Sequence, residues 1–199
     1  MIEVFKMQKL LRLGFAITGS FCTHAAAIEV MAALTQSGVE ITPILSPSSD
    51  TMDTKFGTAL ELKQRINSIT STQIITTITQ AEPIGPRKLF DALLILPATG
   101  NTVAKIANGI TDTAVTMASK SHLRNNRPVV IAVSSNDALG AGAKNIGLLL
   151  NTKNIFFVPF GQDNALEKPR SMVFDKEYVL PAIKEALNGQ QIQPLLRNL

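Results

Sequence analysis

Residues 89–109 read LFDALLILPATGNTVAKIANG and contain one complete strand–turn–helix unit of the predicted fold. The apolar run from Leu89 to Leu96 predicts a buried strand, because such a run is typical of a strand that is covered on both faces. The segment 97–100 predicts a turn, and the segment 101–107 predicts a helix that ends at Asn108 and Gly109. A strand that leads directly into a helix is the repeating unit of a parallel α/β sheet.

The same unit recurs on both sides of this stretch. Upstream, residues 27, 30, 31 and 34 are apolar and have the spacing of one helix face, and the apolar runs that flank them predict strands. The other predicted elements are strands at 13–17, 40–45, 128–133 and 155–158, helices at 59–66, 143–150 and 175–187, and a loop at 46–50. The segment 73–78 favours either a strand or a helix, and a helix to about Leu123 begins at Thr111 or Asp112.

This alternation predicts a three-layer α/β/α sandwich with a doubly wound parallel sheet of the Rossmann-like type. We expect a single domain over residues 1–199, since a chain of 199 residues falls within the usual domain size. A ligand of such a sheet binds at the carboxyl ends of the strands.

Composition excludes several other classes of protein. Hydrophobic residues make up 45% and charged residues 17%, which is enough to fill a core and argues against disorder. No apolar run reaches the roughly 18 residues of a membrane helix. The net charge of +4 is scattered, and aromatic residues are few, so we expect no nucleic-acid binding and no membrane association. The surplus of apolar residues points to a covered sheet or an interface between chains.

The amino-terminal segment and the single cysteine limit the compartment and the chemistry. Lys6, Lys9 and Arg12 precede an apolar stretch that is too short for a signal peptide, so we expect a cytoplasmic protein. One cysteine, Cys22, allows neither an intrachain disulfide nor a CxxC metal site, and no other cluster of metal ligands is visible. We expect Cys22 to be a buried packing residue, although a cysteine near a helix start can also be a reactive thiolate.

Four predicted strands end in small polar residues. These ends are TGSFCT at 18–23, Ser46, PATGNT at 97–102 and SSND at 134–137. Because parallel strands end at one edge of a sheet, their hydroxyl and amide groups should converge there and form an anion site. The alternative is that Ser20 or Thr23 simply caps a helix. None of the turns has the glycine spacing of a dinucleotide fingerprint or a P-loop.

The segment PATGNTVAKIANGITD at 97–112 resembles the PASANT motif of the FMN-binding flavoprotein family, which contains cysteine-type decarboxylases and flavin prenyltransferases. The turn at 18–20 lies where that family has its phosphate loop. The resemblance implies that Gly19 and Ser20 hold the FMN phosphate with Thr18 beside them, and that Ser46 lies at the ribityl or phosphate end. It also implies flavin contacts from Thr99, Gly100, Asn101, Thr102 and Ser134.

A more specific resemblance covers about residues 10 to 196 and rests on the segments 18–23, 81–86, 134–140 and 152–163. These are similar to a branch of the family that acts as the B subunit of a two-component oxidoreductase in spore-forming bacteria. The resemblance implies an A subunit that carries NAD(P), oxidation of a small dihydropyridine dicarboxylate, and homo-oligomers of three or more chains. It also leaves open that the B chain binds and organises the A subunit without catalysing the reaction.

Candidate catalytic residues follow from this resemblance. Decarboxylases of the family use a histidine after the second strand, and residues 47–90 contain none, which argues against decarboxylation. Asn101 either binds a substrate carboxylate or caps its helix. A dicarboxylate substrate needs one or two cations, for which Arg170 and Lys168 are the first candidates. The segment from Lys168 to Val173 is predicted as a loop that closes over the site or docks the partner.

Overall fold

A seven-stranded sheet forms the centre of the computed structural model, which describes residues 10–198. Lys6 and Lys9 therefore lie outside the described residues. The strands are β1 Arg12–Ile17, β2 Glu40–Leu45, β3 Ala92–Ala98, β4 Val129–Ser135, β5 Ile155–Phe157, β6 Phe160–Gly161 and β7 Met172–Phe174. Their order is β2-β1-β3-β4-β7-β6, and β5 also pairs with β4. Strands β1 to β5 pair in parallel, so the predicted doubly wound fold is confirmed.

Helices cover both faces of this sheet. They are α1 His24–Gln36, α2 Pro47–Thr51, α3 Ala59–Ile69, α4 Ile78–Ala81, α5 Gly100–Ala107, α6 Ala114–Leu123, α7 Ala143–Leu150 and α8 Val179–Leu187. Leu13, Phe15 and Ile17 pack in the core cluster that includes α1, α3 and α8, whereas Ala16 lies in the cluster of α4 to α7. The alternation of side chains along β1 therefore divides the core into two layers, as three-layer packing requires.

Two segments beside the site differ from their predicted structure. The expected loop at 46–50 is mostly the short helix α2, because Ser46 accepts a hydrogen bond from the backbone of Ser49 and Pro47 occupies the first turn. Strand β3 begins later than predicted and continues through Pro97 to Ala98, so the turn begins at Thr99. The carbonyl of Pro97 accepts hydrogen bonds from both the backbone and the hydroxyl of Thr18.

The start of α6 and the structure of the segment 73–78 also differ from the prediction or resolve its alternatives. Thr113, rather than Thr111 or Asp112, caps α6 through a reciprocal pair of hydrogen bonds with Thr116. Asp112 instead forms an ion pair with Lys105, at 2.7 Å. The ambiguous segment 73–78 contains one bridge, between Ile75 and Ile44, before α4 begins.

Strand β4 has two partners along one side. Its first half, from Val129 to Ile131, pairs in parallel with β5. Its last residues, Ser134 and Ser135, pair with β7, which runs antiparallel to β4. The expected loop at 168–173 is therefore partly wrong, since its end forms β7. This antiparallel pairing brings the segment 162–171 to the carboxyl edge of the sheet.

Candidate functional site

The ends of β1 and β4 meet through their hydroxyl groups, although β3 lies between these strands. The Oγ of Ser20 lies 2.8 Å from the Oγ of Ser134, and the Oγ1 of Thr23 lies 3.2 Å from the same atom. Neither Ser20 nor Thr23 makes a side-chain cap hydrogen bond, although each occupies a cap position. The capping alternative is therefore wrong for both residues, and their hydroxyls join the convergent polar edge that the sequence predicts.

Thr18 joins the end of β1 to the end of β3. Its hydroxyl donates to the carbonyl of Pro97 at 2.7 Å and accepts from the backbone N–H of Thr99 at 3.0 Å. Thr18 is 1% exposed, so it lies beneath the surface of the edge. The structure thus assigns Thr18 a positioning contact between two loops.

Gly19 allows a serine side chain to approach the backbone closely. A Cβ at this position would lie 2.6 Å from the Oγ of Ser48 and 3.3 Å from its Cβ. The Ser48 hydroxyl lies 3.0 Å from that of Ser46, which caps α2. Gly100 repeats this arrangement, because a Cβ there would lie 2.8 Å from the Oγ of Ser135. Because the two glycines have no Cβ, the hydroxyl groups of Ser48 and Ser135 can lie against the loop backbones.

Two cavities lie on either side of Gly19 and Thr99, which line both. The Ser134 cavity, of about 350 Å³, also contains Ser20, Thr23, Gly100, Ser134, Ser135, Asn136, Asp163, Lys168 and Ser171, together with Phe21 and Phe56. The Ser46 cavity, of about 480 Å³, contains Ser46, Ser48, Thr51, Asn101, Thr102, Lys105 and Thr113. Apart from Thr18 and Arg170, which line neither cavity, the residues selected from the sequence are divided between two adjoining spaces.

Asn101 and Arg170 occupy different surroundings. Thr99 caps α5 by accepting from the backbone of Thr102, so the structure excludes the capping alternative for Asn101. Asn101 is exposed and lines the Ser46 cavity. Arg170 is absent from the lining of both cavities, whereas Lys168 lines the Ser134 cavity. Of the two predicted cations, the structure brings Lys168 to the strand-end hydroxyls.

Asp163 places a carboxylate in the Ser134 cavity. Its Oδ2 lies 3.3 Å from the Nζ of Lys168. Burial alone would raise the pKa of Asp163, but hydrogen bonds from Ser171 and Lys168 outweigh it and lower that pKa below its usual value. The cavity therefore contains one fixed anion and one cation paired with it.

His24 and Cys22 face a third, larger space of about 680 Å³, which shares Phe21, Cys22 and Phe56 with the Ser134 cavity. Cys22 is exposed, so the expectation of a buried packing cysteine is wrong. His24 donates from Nε2 to the carbonyl of Thr18 at 2.9 Å. Burial lowers the pKa of His24, and the hydrogen bond to Thr18 opposes that shift. The third space contains none of the site residues selected from the sequence.

Some residues that line the cavities were not predicted from the sequence. Ser48 and Phe56 enter the cavities from segments without a recognisable motif, whereas Asp163 ends the segment 152–163 that carries the resemblance but was not itself selected. The one signal for Ser48 was the run of small polar residues after β2, which also predicts a loop. Over residues 10–198, no group of three or more histidine, cysteine or acidic side chains is placed to hold a metal ion.

The close approach at Gly19 gives a testable prediction. In Gly19→Ala the new methyl group displaces the Ser48 side chain, which lies 2.6 Å away, and we expect the affinity for FMN to fall about tenfold. Gly147→Ala is the matched control, because Gly147 lies in α7 with nothing within 4 Å of its Cβ position. The control should bind FMN as the parent chain does and gain up to about 1 kcal/mol of stability. Equal FMN affinity of Gly19→Ala and the parent would contradict this prediction.

Comparisons with known proteins give a consistent picture. The model of the Flavoprotein family matches residues 2–174. The chain is 43% identical to the B subunit of dipicolinate synthase from Bacillus subtilis over 185 residues, which cover 93% of this chain and 92% of that protein. The crystal structure of the B subunit of dipicolinate synthase from Bacillus halodurans has a TM-score of 0.87 and 44% identity, covering 94% of this chain and 96% of the other.

A more distant structure indicates the breadth of the likeness. The FMN-dependent cysteine decarboxylase SpaF has a TM-score of 0.65 and 27% identity, over 89% of this chain and 95% of that one. The described helices, within residues 10–198, include none long and apolar enough to cross a membrane.

Proposed function

The chain belongs to the flavoprotein family, and on this premise we propose that it acts as the FMN-binding B subunit of a dipicolinate synthase. The proposed reaction is the oxidation of dihydrodipicolinate to dipicolinate together with the A subunit. The observation that supports it best is the meeting of Ser20, Thr23 and Ser134 in a cavity that borders the PASANT-like loop. The likeness to the B subunit of dipicolinate synthase supports this choice over other flavoprotein activities.

The residues present fit FMN. The Ser46 cavity combines hydroxyl groups with Lys105, a donor set that suits a phosphate dianion. The Ser134 cavity adds the side chains of Phe21 and Phe56 to polar groups, which suits a ring system. The open backbone at Gly19, which a Cβ would fill, lies between the two. We therefore assign the phosphate end of FMN to Ser46 rather than to Ser20, which lines the other cavity together with Gly100 and Ser134 and would contact the ring side of FMN. The flavin contacts implied for Gly19, Thr99, Asn101 and Thr102 remain part of the proposal.

Oxidation of the substrate ring removes two hydrogens, and protein side chains accept no hydride. FMN supplies a hydride acceptor when it is bound, and NAD(P) on the A subunit would take the electrons onward. The role of this chain is then to hold the ring and its carboxylates. Asn101 is placed to donate from its amide to a carboxylate that reaches the Ser46 cavity.

Assembly and location are part of the same proposal. We place one domain over residues 1–199, in homo-oligomers of three or more chains, in the cytoplasm of the mother cell. Met52 and Phe56 are 55% and 58% exposed beside the cavities, and a neighbouring copy of the chain would cover such side chains.

The flavin part of the proposal is tested by absorption spectra of the purified full chain before and after addition of FMN. We expect a saturable shift of the flavin band, because the ring leaves water for the Ser134 cavity. A spectrum identical to the sum of the separate components would overturn FMN binding by this chain.

The catalytic part is tested by the rate of dipicolinate formation with the A subunit alone and with the A and B chains together. We expect the pair to be at least about tenfold faster, a gain of about 1.4 kcal/mol in barrier. Asn101→Ala should lower the rate of the pair even when FMN is saturating, because a substrate carboxylate loses its amide donor. If the isolated A chain matches the pair, this chain is a non-catalytic organising component. Flavin-dependent decarboxylation stays the weaker alternative, since residues 47–90 contain no histidine.

A further inference from the structure

The segment 162–171 is a folded strap whose backbone is fixed by its own hydrogen bonds. The side chain of Gln162 donates to the carbonyl of Pro169 at 2.9 Å. The backbone N–H of Lys168 donates to Asn164 at 2.8 Å, and that of Ser171 donates to Lys168 at 3.0 Å. The backbone of Lys168 is therefore fixed at the rim of the Ser134 cavity, and its side chain belongs to the lining of that cavity.

The two charged groups of the strap differ in how firmly they are held. Ser171 is 3% exposed, lies 3.4 Å from the Oδ1 of Asn136, and is hydrogen-bonded to Asp163. The position of Asp163 is thus fixed by its hydrogen bond to the buried Ser171. The Lys168 side chain is 53% exposed, and its ion pair with Asp163 joins the two across 3.3 Å. An exposed ion pair of this kind contributes little to stability, so the exchange of Asp163 for another carboxylate costs little.

Arg170 lies in the same strap but is directed elsewhere. Its carbonyl accepts from the backbone N–H of Leu139, and its Cδ lies 3.2 Å from the position of a Cβ on Gly140. The Arg170 side chain therefore runs along the turn that follows β4 and does not enter the lining of the Ser134 cavity.

We propose that Lys168 binds a carboxylate of the substrate and that Asp163 takes the place of that carboxylate while the cavity is empty of substrate. This inference rests on the proposed function, because it assumes a small dicarboxylate. The ammonium group has three donors, and the pair with Asp163 uses one of them. A substrate carboxylate that enters opposite Ser20 and Ser134 can therefore take over the ammonium group without movement of the strap backbone. Lys168 is then the residue that selects for a carboxylated ring.

The test measures the dissociation constant of pyridine-2,6-dicarboxylate for the full chain saturated with FMN, by calorimetry. Lys168→Met should raise this constant at least about tenfold, because the carboxylate loses a charged partner. Asp163→Asn should lower it about threefold or more, because the competing carboxylate is removed while the hydrogen bond to Ser171 is kept. In the double variant the effect of Asp163→Asn should disappear, since both changes act through one pair.

Lys153→Met is the control, because Lys153 is an exposed lysine at the opposite end of β5. It should leave the dissociation constant unchanged. Pyridine-2-carboxylate should bind more weakly than the dicarboxylate and should show the same dependence on Lys168 if its one carboxylate occupies this position. An unchanged constant for Lys168→Met, weaker binding by Asp163→Asn, or no binding by the parent chain would overturn the proposal.

The two proposals fail in distinguishable ways. FMN titrations of the same variants should give equal affinities, because Lys168 and Asp163 are assigned to the substrate. A chain that binds FMN but not the dicarboxylate refutes the role of Lys168 and leaves flavin binding intact. A chain that binds the dicarboxylate through Lys168 but shows no FMN binding in the titration refutes the flavin part alone.

Discussion

We expect Ser46→Asp to lower the affinity for FMN at least about a hundredfold and Ser46→Asn to change that affinity less than about threefold. Aspartate is one of the best helix-capping residues, so the substitution preserves the cap of α2 that Ser46 now provides. It also places a carboxylate among the hydroxyl groups of the Ser46 cavity, where the phosphate is assigned. Two like charges about 5 Å apart in a partly buried site repel each other by about 3 kcal/mol.

The measurement is a flavin fluorescence titration of both variants and the parent chain at low salt. Asparagine matches aspartate in size and cap strength but carries no charge, so the difference between the two variants isolates the charge. Added salt should reduce the difference in FMN affinity between the two variants, because it screens the repulsion between the carboxylate and the phosphate. Equal affinities of the aspartate and asparagine variants would show that the phosphate does not lie beside Ser46, and a loss in both would indicate a steric effect.

We expect the free energy of unfolding to fall by about 3 kcal/mol between about pH 7 and pH 4, because His122 is buried in its neutral form. Burial and the charge of Arg127 lower the pKa of His122 from 6.5 to about 4. The residue is 2% exposed, stacks on Phe90 and leaves its Nδ1 without a hydrogen-bond partner. Protonation would place a positive charge in the core layer near Arg127, and this cost outweighs the attraction of Asp91 and the hydrogen bond to Pro128.

The direction of this dependence follows from the proton balance. Between pH 6.5 and about 4 the unfolded chain binds a proton at His122 and the folded chain does not, so stability rises with pH in that window. The stability is fully present above 6.5 and is lost as the pH falls towards about 4. His24 adds a smaller effect of the same sign, since its pKa is also lowered.

Urea unfolding across this pH range checks the prediction. His122→Gln cannot titrate there, so its free energy of unfolding should be lower at neutral pH but should lose most of the slope. His24→Gln is the matched control and should retain most of the slope. If the free energy of unfolding has the same slope against pH in His122→Gln as in the parent chain, the prediction is wrong.

The sheet could be predicted largely from the sequence because its buried strands are continuous apolar runs. Strand β4, for example, begins within one residue of its predicted start. The antiparallel strand β7 could not be predicted, because Met172–Phe174 is too short to show a period and its pairing with β4 depends on tertiary contacts. The helix α2 was missed because serine, proline and aspartate favour both turns and helix starts.

The candidate site was predictable to the extent that topology decides it. Parallel strands end at one edge, so Ser20 and Ser134 could be expected to approach each other although 114 residues separate them. Topology does not decide which side chain of a loop faces a cavity. The sequence therefore could not show that Lys168, and not Arg170, lines the Ser134 cavity. The predicted burial of Cys22 was wrong, because a free cysteine usually packs as a small hydrophobe and only tertiary contacts show that this one is exposed.

The loop backbones at Gly19 and Thr99 form a common partition between the Ser134 and Ser46 cavities, and the hydroxyl of Thr18 joins them. A ligand that displaces this partition on one side would change the shape of the cavity on the other side. Any effect of one occupant on the affinity for the other would be equal in both directions, because thermodynamic linkage is reciprocal. The affinity of the chain for substrate would then depend on bound cofactor, and its affinity for cofactor would depend on bound substrate.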